Sequence, residues 1–282
     1  MSWRGQALSW ERRGPALEVT LHREPCNEIG TTTLSELERL ATVLRGGALG
    51  ARAVILHSAQ RGFCAGADLR ELHAGLRERR ESSRVVRLLG GRGRRLVARL
   101  ARREIRSFLD RIHAVFDTLD TAPVPTIAAV HGVCFGGGFE LALTADVIVA
   151  DRSARFCFPE LRLGLIPGFG GIPRLERDLG NAAVRDLLLT GRSLGAKRAH
   201  EVGLVGHLVG RGEALEAARR VAEQTARFEG ATVRAAKRFL KPLPKARLDQ
   251  EKDTFCRLVT RPEVFRALDR FVESDDLRPY LP

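Results

Sequence analysis

The chain has 282 residues, 44% of them hydrophobic, which is enough for one sizeable core with a smaller appended unit or for two domains. Mean hydropathy is −0.13, and no apolar run reaches the roughly 18–20 residues of a helical membrane span. The N-terminus has no apolar stretch of the secretory kind, so the expectation is a cytoplasmic protein with no membrane partner. The five cysteines (Cys26, Cys64, Cys134, Cys157 and Cys256) are odd in number, widely spaced and free of any CxxC pair. That pattern excludes a disulfide scaffold and fits inert thiols in a reducing compartment.

The net charge of +13 is concentrated in one stretch. Between Arg77 and Arg106 lie twelve arginines against three glutamates, which accounts for nine of the thirteen net charges. The rest of the chain is close to neutral.

In chain order, Leu17, Val19 and Leu21 alternate with Glu18, Thr20 and His22, the period of a half-buried strand. Leu34, Leu37, Leu40, Ala41 and Leu44 recur at helical spacing behind an N-cap candidate in Thr31 to Thr33. Arg52 to His57 predicts a buried strand. After the arginine run, Leu96, Leu100, Ile105, Phe108, Leu109, Ile112, Val115, Phe116 and Leu119 trace a helix stripe. Thr126 to His131 and Asp146 to Ala150 predict two more strands around a short helix from about Gly138. Beyond Val205 the strand signals fade, and 212–228, 231–240, 247–258 and 262–273 read as amphipathic helices. The expected organisation is a core over 1–210 and a helical region over 211–282.

Two glycine-bearing turns follow apolar strands, at Phe63–Asp68 and at Gly132–Glu140. Glycine lets backbone N–H groups approach a ligand, and a helix start leaves such groups without partners. Two turns of this kind converging on one point would form an oxyanion hole. A third stretch, Phe158 to Gly171, places Glu160 among apolar residues, where a carboxyl holds its proton more tightly and suits general acid work. Glu140 is likewise flanked by apolar residues. Either glutamate alone reads equally as a solvated carboxylate at a helix start or loop. Nucleotide-binding motifs are absent: Gly168-Phe169-Gly170-Gly171 is no GxGxxG, and no GxxxxGK[ST] occurs.

The order of these motifs carries more than any one of them. Phe-Cys-Ala-Gly-Ala-Asp-Leu, then His-Gly-x-Cys-x-Gly-Gly-Gly-x-Glu-Leu-Ala-Leu, then Phe-x-x-Pro-Glu-x-x-x-Gly-x-Ile-Pro-Gly-x-Gly-Gly resembles the crotonase, or enoyl-CoA hydratase/isomerase, superfamily. Pro25 to Ile29, Leu189-Thr190-Gly191 and Gly203-Leu204-Val205 agree with it, so the resemblance runs from about Leu17 to Val209. It implies an α/β fold, a crotonase-type spiral of ββα units, with a C-terminal α-helical trimerisation region. It implies that the N–H groups of Ala67 and Gly137 form the oxyanion hole for an acyl-CoA thioester. The carbonyl of Ala65 would meet the CoA adenine, Asp68 would join the substrate-binding residues, and the N–H of Gly168 would help place a water. Glu140 would orient and activate that water, and Glu160 would deliver a proton to C2. The implied activity is an enoyl-CoA hydratase, a lyase of fatty acid metabolism. No metal or organic cofactor is implied, coenzyme A being part of the substrate, and the implied assembly is a homotrimer or hexamer.

Ala67 and Gly137 are 70 residues apart, more than in a typical hydratase, so an arginine-rich insertion spans about 74–105. It reads as an exposed basic loop, as a lid gripping the CoA phosphates, or as a surface for nucleic acid or another acidic partner. The run lacks the interleaved aromatics of a nucleic-acid site. Two rivals stand beside the hydratase: an isomerase or other reaction of the superfamily, and a basic RNA-binding or scaffold protein on the same fold.

Overall fold

The computed structural model describes residues 2–86 and 90–274. A seven-stranded sheet runs in the order β1 (Ser2–Arg4), β2 (Leu8–Arg13), β3 (Ala16–Leu21), β4 (Ala53–Ser58), β5 (Thr126–Val130), β7 (Val147–Asp151) and β10 (His207–Val209). The first three strands pair antiparallel and the rest parallel. A second, three-stranded sheet joins β6 (Val133–Phe135), β8 (Arg155–Cys157) and β9 (Leu194–Gly195), with β6 and β8 parallel.

The central parallel strands are covered on both faces, which is why they read as continuous apolar runs. Ala53, Ile55, Ile127, Ala129 and Val149 face α8 (Ala214–Thr225), whose small residues Ala214, Ala217, Ala218 and Ala222 let it lie close to the sheet. Val54, Leu56, Ala128, Val130 and Ala150 point the other way into the main core. There they meet α1 (Thr31–Arg45) through Leu34, Leu37, Leu40 and Leu44, and α3 (Gly90–Asp120) through Ile105, Leu109, Ile112 and Phe116. Each fully buried leucine contributes about 1.5–3 kcal/mol of transfer free energy.

Two expectations are corrected. Glu18 does not face solvent: α8 covers that face, and the buried carboxylate accepts from Arg219 Nε and Nη2 at 2.8 and 2.9 Å. The insertion is not a loop. The described part of residues 69–120 forms α2 (Leu69–Val86) and α3, which starts six residues before the expected Leu96 stripe. Arg, Leu, Ala and Glu are strong helix formers, and the apolar stripe of α3 has a core to pack on. Arg87 lies outside the described residues, as do residues 275–282.

The remaining helices are α4 (Gly137–Ala142), α5 (Gly171–Leu179), α6 (Asn181–Thr190), α7 (Ala196–Glu201), α9 (Gly230–Leu240), α10 (Lys245–Leu258) and α11 (Pro262–Glu273). From the C-terminal region, α10 packs on α3 and α5, and α11 packs on α2. The boundary near residue 210 therefore marks a change in secondary structure across a shared core. Among the described residues no helix is long and apolar enough to cross a membrane.

Candidate active site

Parallel pairing in register brings the distant motifs together. Cys64 and Cys134 form an isolated parallel bridge, so the turns that follow them run side by side, and Ala67 and Gly137 each lie three residues further on. The pairing of Phe135 with Cys157 in β6 and β8 carries the next stretches, ending in Glu140 and Glu160, to the same end of the small sheet. Glycine is required where the turns touch. A Cβ on Gly138 would stand 2.3 Å from the Cys64 carbonyl oxygen, and Gly66 adopts φ +106° with its Cα 's missing substituent aimed at the Phe135 carbonyl.

The N–H groups of Ala67 and Gly137, expected as oxyanion donors, lie near one another. Ala67 bridges Ile29 in a parallel pair, in which Ile29 N donates to Gly66 O and Asp68 N donates to Ile29 O. That pattern turns the N–H of Ala67 itself away from the bridge. Gly137 is the first residue of α4, where an N–H has no intrahelical partner. The position of a Cβ on Gly137 lies 3.3 Å from Ala67 N, so the two donors flank one small space.

Behind them stand the two glutamates. Glu140 is 2% exposed, and its Oε1 accepts from Phe169 N and Gly171 N, both at 2.8 Å. Burial raises its carboxyl to about 7, although these N–H groups and the Arg174 guanidinium favour the anion. Glu160 opens a short 3-10 turn, Glu160–Leu163, and its Oε2 is buried without a hydrogen-bond partner among the described residues. Burial first, and the charge of Glu140 second, push its carboxyl well above the ordinary range. The two acids titrate as a pair, and burial, joined at Glu160 by the charge of Glu140, holds both above the ordinary carboxylate range.

The turn 168–172 that holds Glu140 is tied on every side. Gly170 N and Ile172 N donate to Glu251 of α10 at 2.7 and 2.8 Å. His113 Nε2 donates to the Gly168 carbonyl at 2.8 Å, and Arg174 Nη1 donates to the carbonyls of Phe169 and Gly170. Burial depresses His113 to about 4, so the ring is neutral. Arg174 is fully buried and pairs with Asp117 and Asp120 at 2.7 Å each. The phenyl ring of Phe255 fills the space where a Gly168 side chain would be, which makes glycine necessary there. Glu251, Arg174 and His113 were missed in the sequence. The signal for Glu251 was a carboxylate on the otherwise apolar stripe Leu248, Glu251, Phe255 of one helix face.

The enoyl-CoA hydratase/isomerase family profile matches residues 95–278. Carnitinyl-CoA dehydratase of Proteus mirabilis (strain HI4320) is 31% identical over 271 residues, 96% of this chain and 92% of that protein. The chain belongs to the enoyl-CoA hydratase/isomerase family. Human mitochondrial methylglutaconyl-CoA hydratase is 36% identical over 177 residues, 62% of this chain and 45% of that protein. Among solved structures, the enoyl-CoA hydratase of Bacillus anthracis superposes with a TM-score of 0.69 at 29% identity, covering 95% of this chain and 96% of its own. An enoyl-CoA hydratase/isomerase from Mycobacterium paratuberculosis gives a TM-score of 0.76 at 20% identity over 94% of this chain and 98% of its own, a likeness of fold. The architecture is thus the crotonase fold expected from the motifs.

In this family member the insertion helices wall a cavity of about 500 Å³ that starts at Ala67. Leu72 and Leu76 of α2 and Ile105, Phe108 and Leu109 of α3 supply its apolar lining, with Phe169 and Phe255 beside the site. Neither Glu140 nor Glu160 lines it. The Phe169 ring, 2.7 Å from where a Gly137 Cβ would be, lines the cavity beside the Ala67 and Gly137 N–H groups. Asp68 touches the cavity, but both its oxygens are engaged: Oδ1 caps α2 through Glu71 N at 2.9 Å, and Oδ2 pairs with Arg23 at 2.5 Å. Burial acts to raise its carboxyl, and the Glu71 N–H and Arg23 outweigh that, so it stays ionised as a helix anchor. Ala65 is half-buried, and its N–H donates to Cys26 O, the same run of pairing that extends the strand edge.

Proposed function

We propose that the chain catalyses reversible addition of water to the double bond of an enoyl-CoA thioester. What carries the reading is the geometry: the paired strands bring the buried Glu140 and the buried Oε2 of Glu160 to the turns that carry the Ala67 and Gly137 N–H groups. In the proposed step, Ala67 N–H and Gly137 N–H hold the thioester oxygen as it becomes an enolate. Glu140, ionised, takes a proton from the water that attacks C3. Glu160, protonated, delivers its proton to C2, and the proton gained by Glu140 returns to Glu160 to reset the pair. The Ala65 carbonyl and the Gly168 N–H are assigned to the adenine and the water, as the family resemblance implies. The names of the relatives, a dehydratase and hydratases of acyl-CoA thioesters, support the same class of reaction.

The test is incubation with crotonyl-CoA and, separately, with a 3-enoyl-CoA. Hydration removes the conjugated thioester absorbance of the first. Turnover of the 3-enoyl-CoA with crotonyl-CoA untouched at high enzyme concentration would sink the hydratase reading in favour of an isomerase.

We also infer a cytoplasmic homotrimer or hexamer. The support for assembly is α9, none of whose residues is buried in the single chain, with Phe239 86% and Leu240 76% exposed at its end. Light scattering that gives a monomer at working concentration would refute it.

A further inference from the structure

Glu251 is a buried carboxylate with no place in the reaction just described. It is 5% exposed, sits on α10 and lines no part of the substrate cavity. Its helix face also carries Leu248, which packs against Gly170, and Phe255, which packs against Gly168. The whole face is therefore applied to the turn that Glu140 grips.

The four successive N–H groups of that turn are shared between two carboxylates in strict alternation. Phe169 and Gly171 donate to Glu140 Oε1. Gly170 donates to Glu251 Oε1 and Ile172 to Glu251 Oε2. The turn leads into α5, so both carboxylates also meet the positive end of that helix. An alternating pattern of this sort has a consequence. The direction of the Phe169 and Gly171 N–H groups is set by where the intervening Gly170 and following Ile172 are held. Gly170, at φ +100°, has the conformational freedom to let the turn swing once its own N–H is released.

We propose that Glu251 is a positioning residue: it holds the 168–172 turn so that the Phe169 and Gly171 N–H groups fix Glu140 Oε1, and with it the carboxylate assigned to the attacking water. The charged and titratable groups around it are Glu140 across the turn, Arg174 with its partners Asp117 and Asp120, His113 on the Gly168 carbonyl, and Lys252 on its own helix. Burial first, and the charge of Glu140 second, hold the Glu251 carboxyl well above the ordinary range. Glutamine at 251 keeps the size but replaces one acceptor oxygen by an NH2 group that cannot accept from Ile172 or Gly170.

The inference rests on the hydratase reading for its kinetic test, which is a double-mutant cycle on crotonyl-CoA hydration. Glu251→Gln should lower kcat about 10²-fold, the scale of a misplaced catalytic group, with KM within about twofold. Glu251→Asp should recover part of that loss. Glu140→Gln/Glu251→Gln should be no slower than Glu140→Gln alone, because Glu251 acts through Glu140. An unchanged kcat with only a lowered Tm, or losses that multiply in the double variant, would overturn the proposal. If the wild-type protein hydrates no enoyl-CoA, the hydratase reading fails by itself, and residue-resolved hydrogen exchange decides the clamp. Glu251→Gln, or Glu251→Asp if the first does not fold, should speed exchange at Phe169 and Gly171, which Glu251 does not touch. Faster exchange confined to Gly170 and Ile172 would overturn it.

Discussion

The turn at 168–172 and the helices α2 and α3 border the same site and are built on opposite principles. The turn is short, buried and rich in glycine, and side chains from four elements satisfy its backbone groups. The helices are long, arginine-rich and present Arg99, Arg102 and Arg103 to solvent while lending apolar residues to a cavity wall. In the first, geometry is over-determined, as the proposed proton transfer between fixed atoms would require. In the second, only one face is specified, which leaves the length and shape of the acyl chain free to vary.

Three substitutions at the turn end should have large effects, in descending order. Glu160→Gln keeps the size and removes the transferable proton. Hydration should fall about 10²–10⁴-fold with the circular dichroism spectrum unchanged, and a loss under tenfold would remove Glu160 from the chemistry. Arg174→Met leaves Asp117 and Asp120 beside an apolar side chain and frees the carbonyls of Phe169 and Gly170. Breaking a buried ion pair in this way costs about 3–5 kcal/mol, measurable by urea unfolding. A cost near zero would mean that Arg177 and Lys241, which also reach Asp120, suffice.

Glu140→Gln should lose activity and gain stability. The folded carboxyl sits near 7 against an ordinary value of 4.5, so the native state binds the extra proton. The contribution of Glu140 to stability therefore falls as pH rises from about 4.5 to about 7. The glutamine variant lacks this penalty. It should exceed wild type by on the order of 3 kcal/mol at pH 8 and match it below pH 4.5, since one pKa unit is about 1.4 kcal/mol. Equal urea midpoints for the two proteins at pH 8 would show that the Phe169 and Gly171 N–H groups already offset the burial.

How much of this was legible in the sequence follows the same division. Glu140, Glu160, Ala67 and Gly137 could be picked out as candidates that the fold brings together, because each sits in a local motif whose glycines are forced by contact, as Gly138 is by the Cys64 carbonyl. Glu251, Arg174 and His113 could not, because each reaches the turn from a separate helix and only the fold makes them neighbours. Asp68 was legible as a motif residue and not as a cap, since its partners, Arg23 and the Glu71 N–H, become apparent only when α2 is seen to start there. The hairpin of β1 and β2 carries too little alternation to stand out, and Trp3 stacks on Trp10 at 4.2 Å across it, a pairing that requires the register.

The smallest effects belong to the arginines of α3, and they separate the remaining roles of the insertion. Replacing Arg99, Arg102 and Arg103 together by glutamine changes exposed side chains, so stability should stay within about 0.5 kcal/mol per site. If the helices attract the CoA phosphates, KM for crotonyl-CoA should rise a few-fold at low ionic strength. The rise should vanish near 1 M salt, where the Debye length is about 3 Å. Crotonyl-pantetheine, which lacks the nucleotide phosphates, should show no change at any salt. That contrast isolates phosphate attraction from any disturbance of the acyl cavity, because both substrates fill the cavity with the same chain. An equal rise for both would place the arginines' influence on the cavity wall through α3. Loss of salt-sensitive RNA retention with both KM values untouched would assign the charge to a partner and leave the catalytic end of the molecule independent of it.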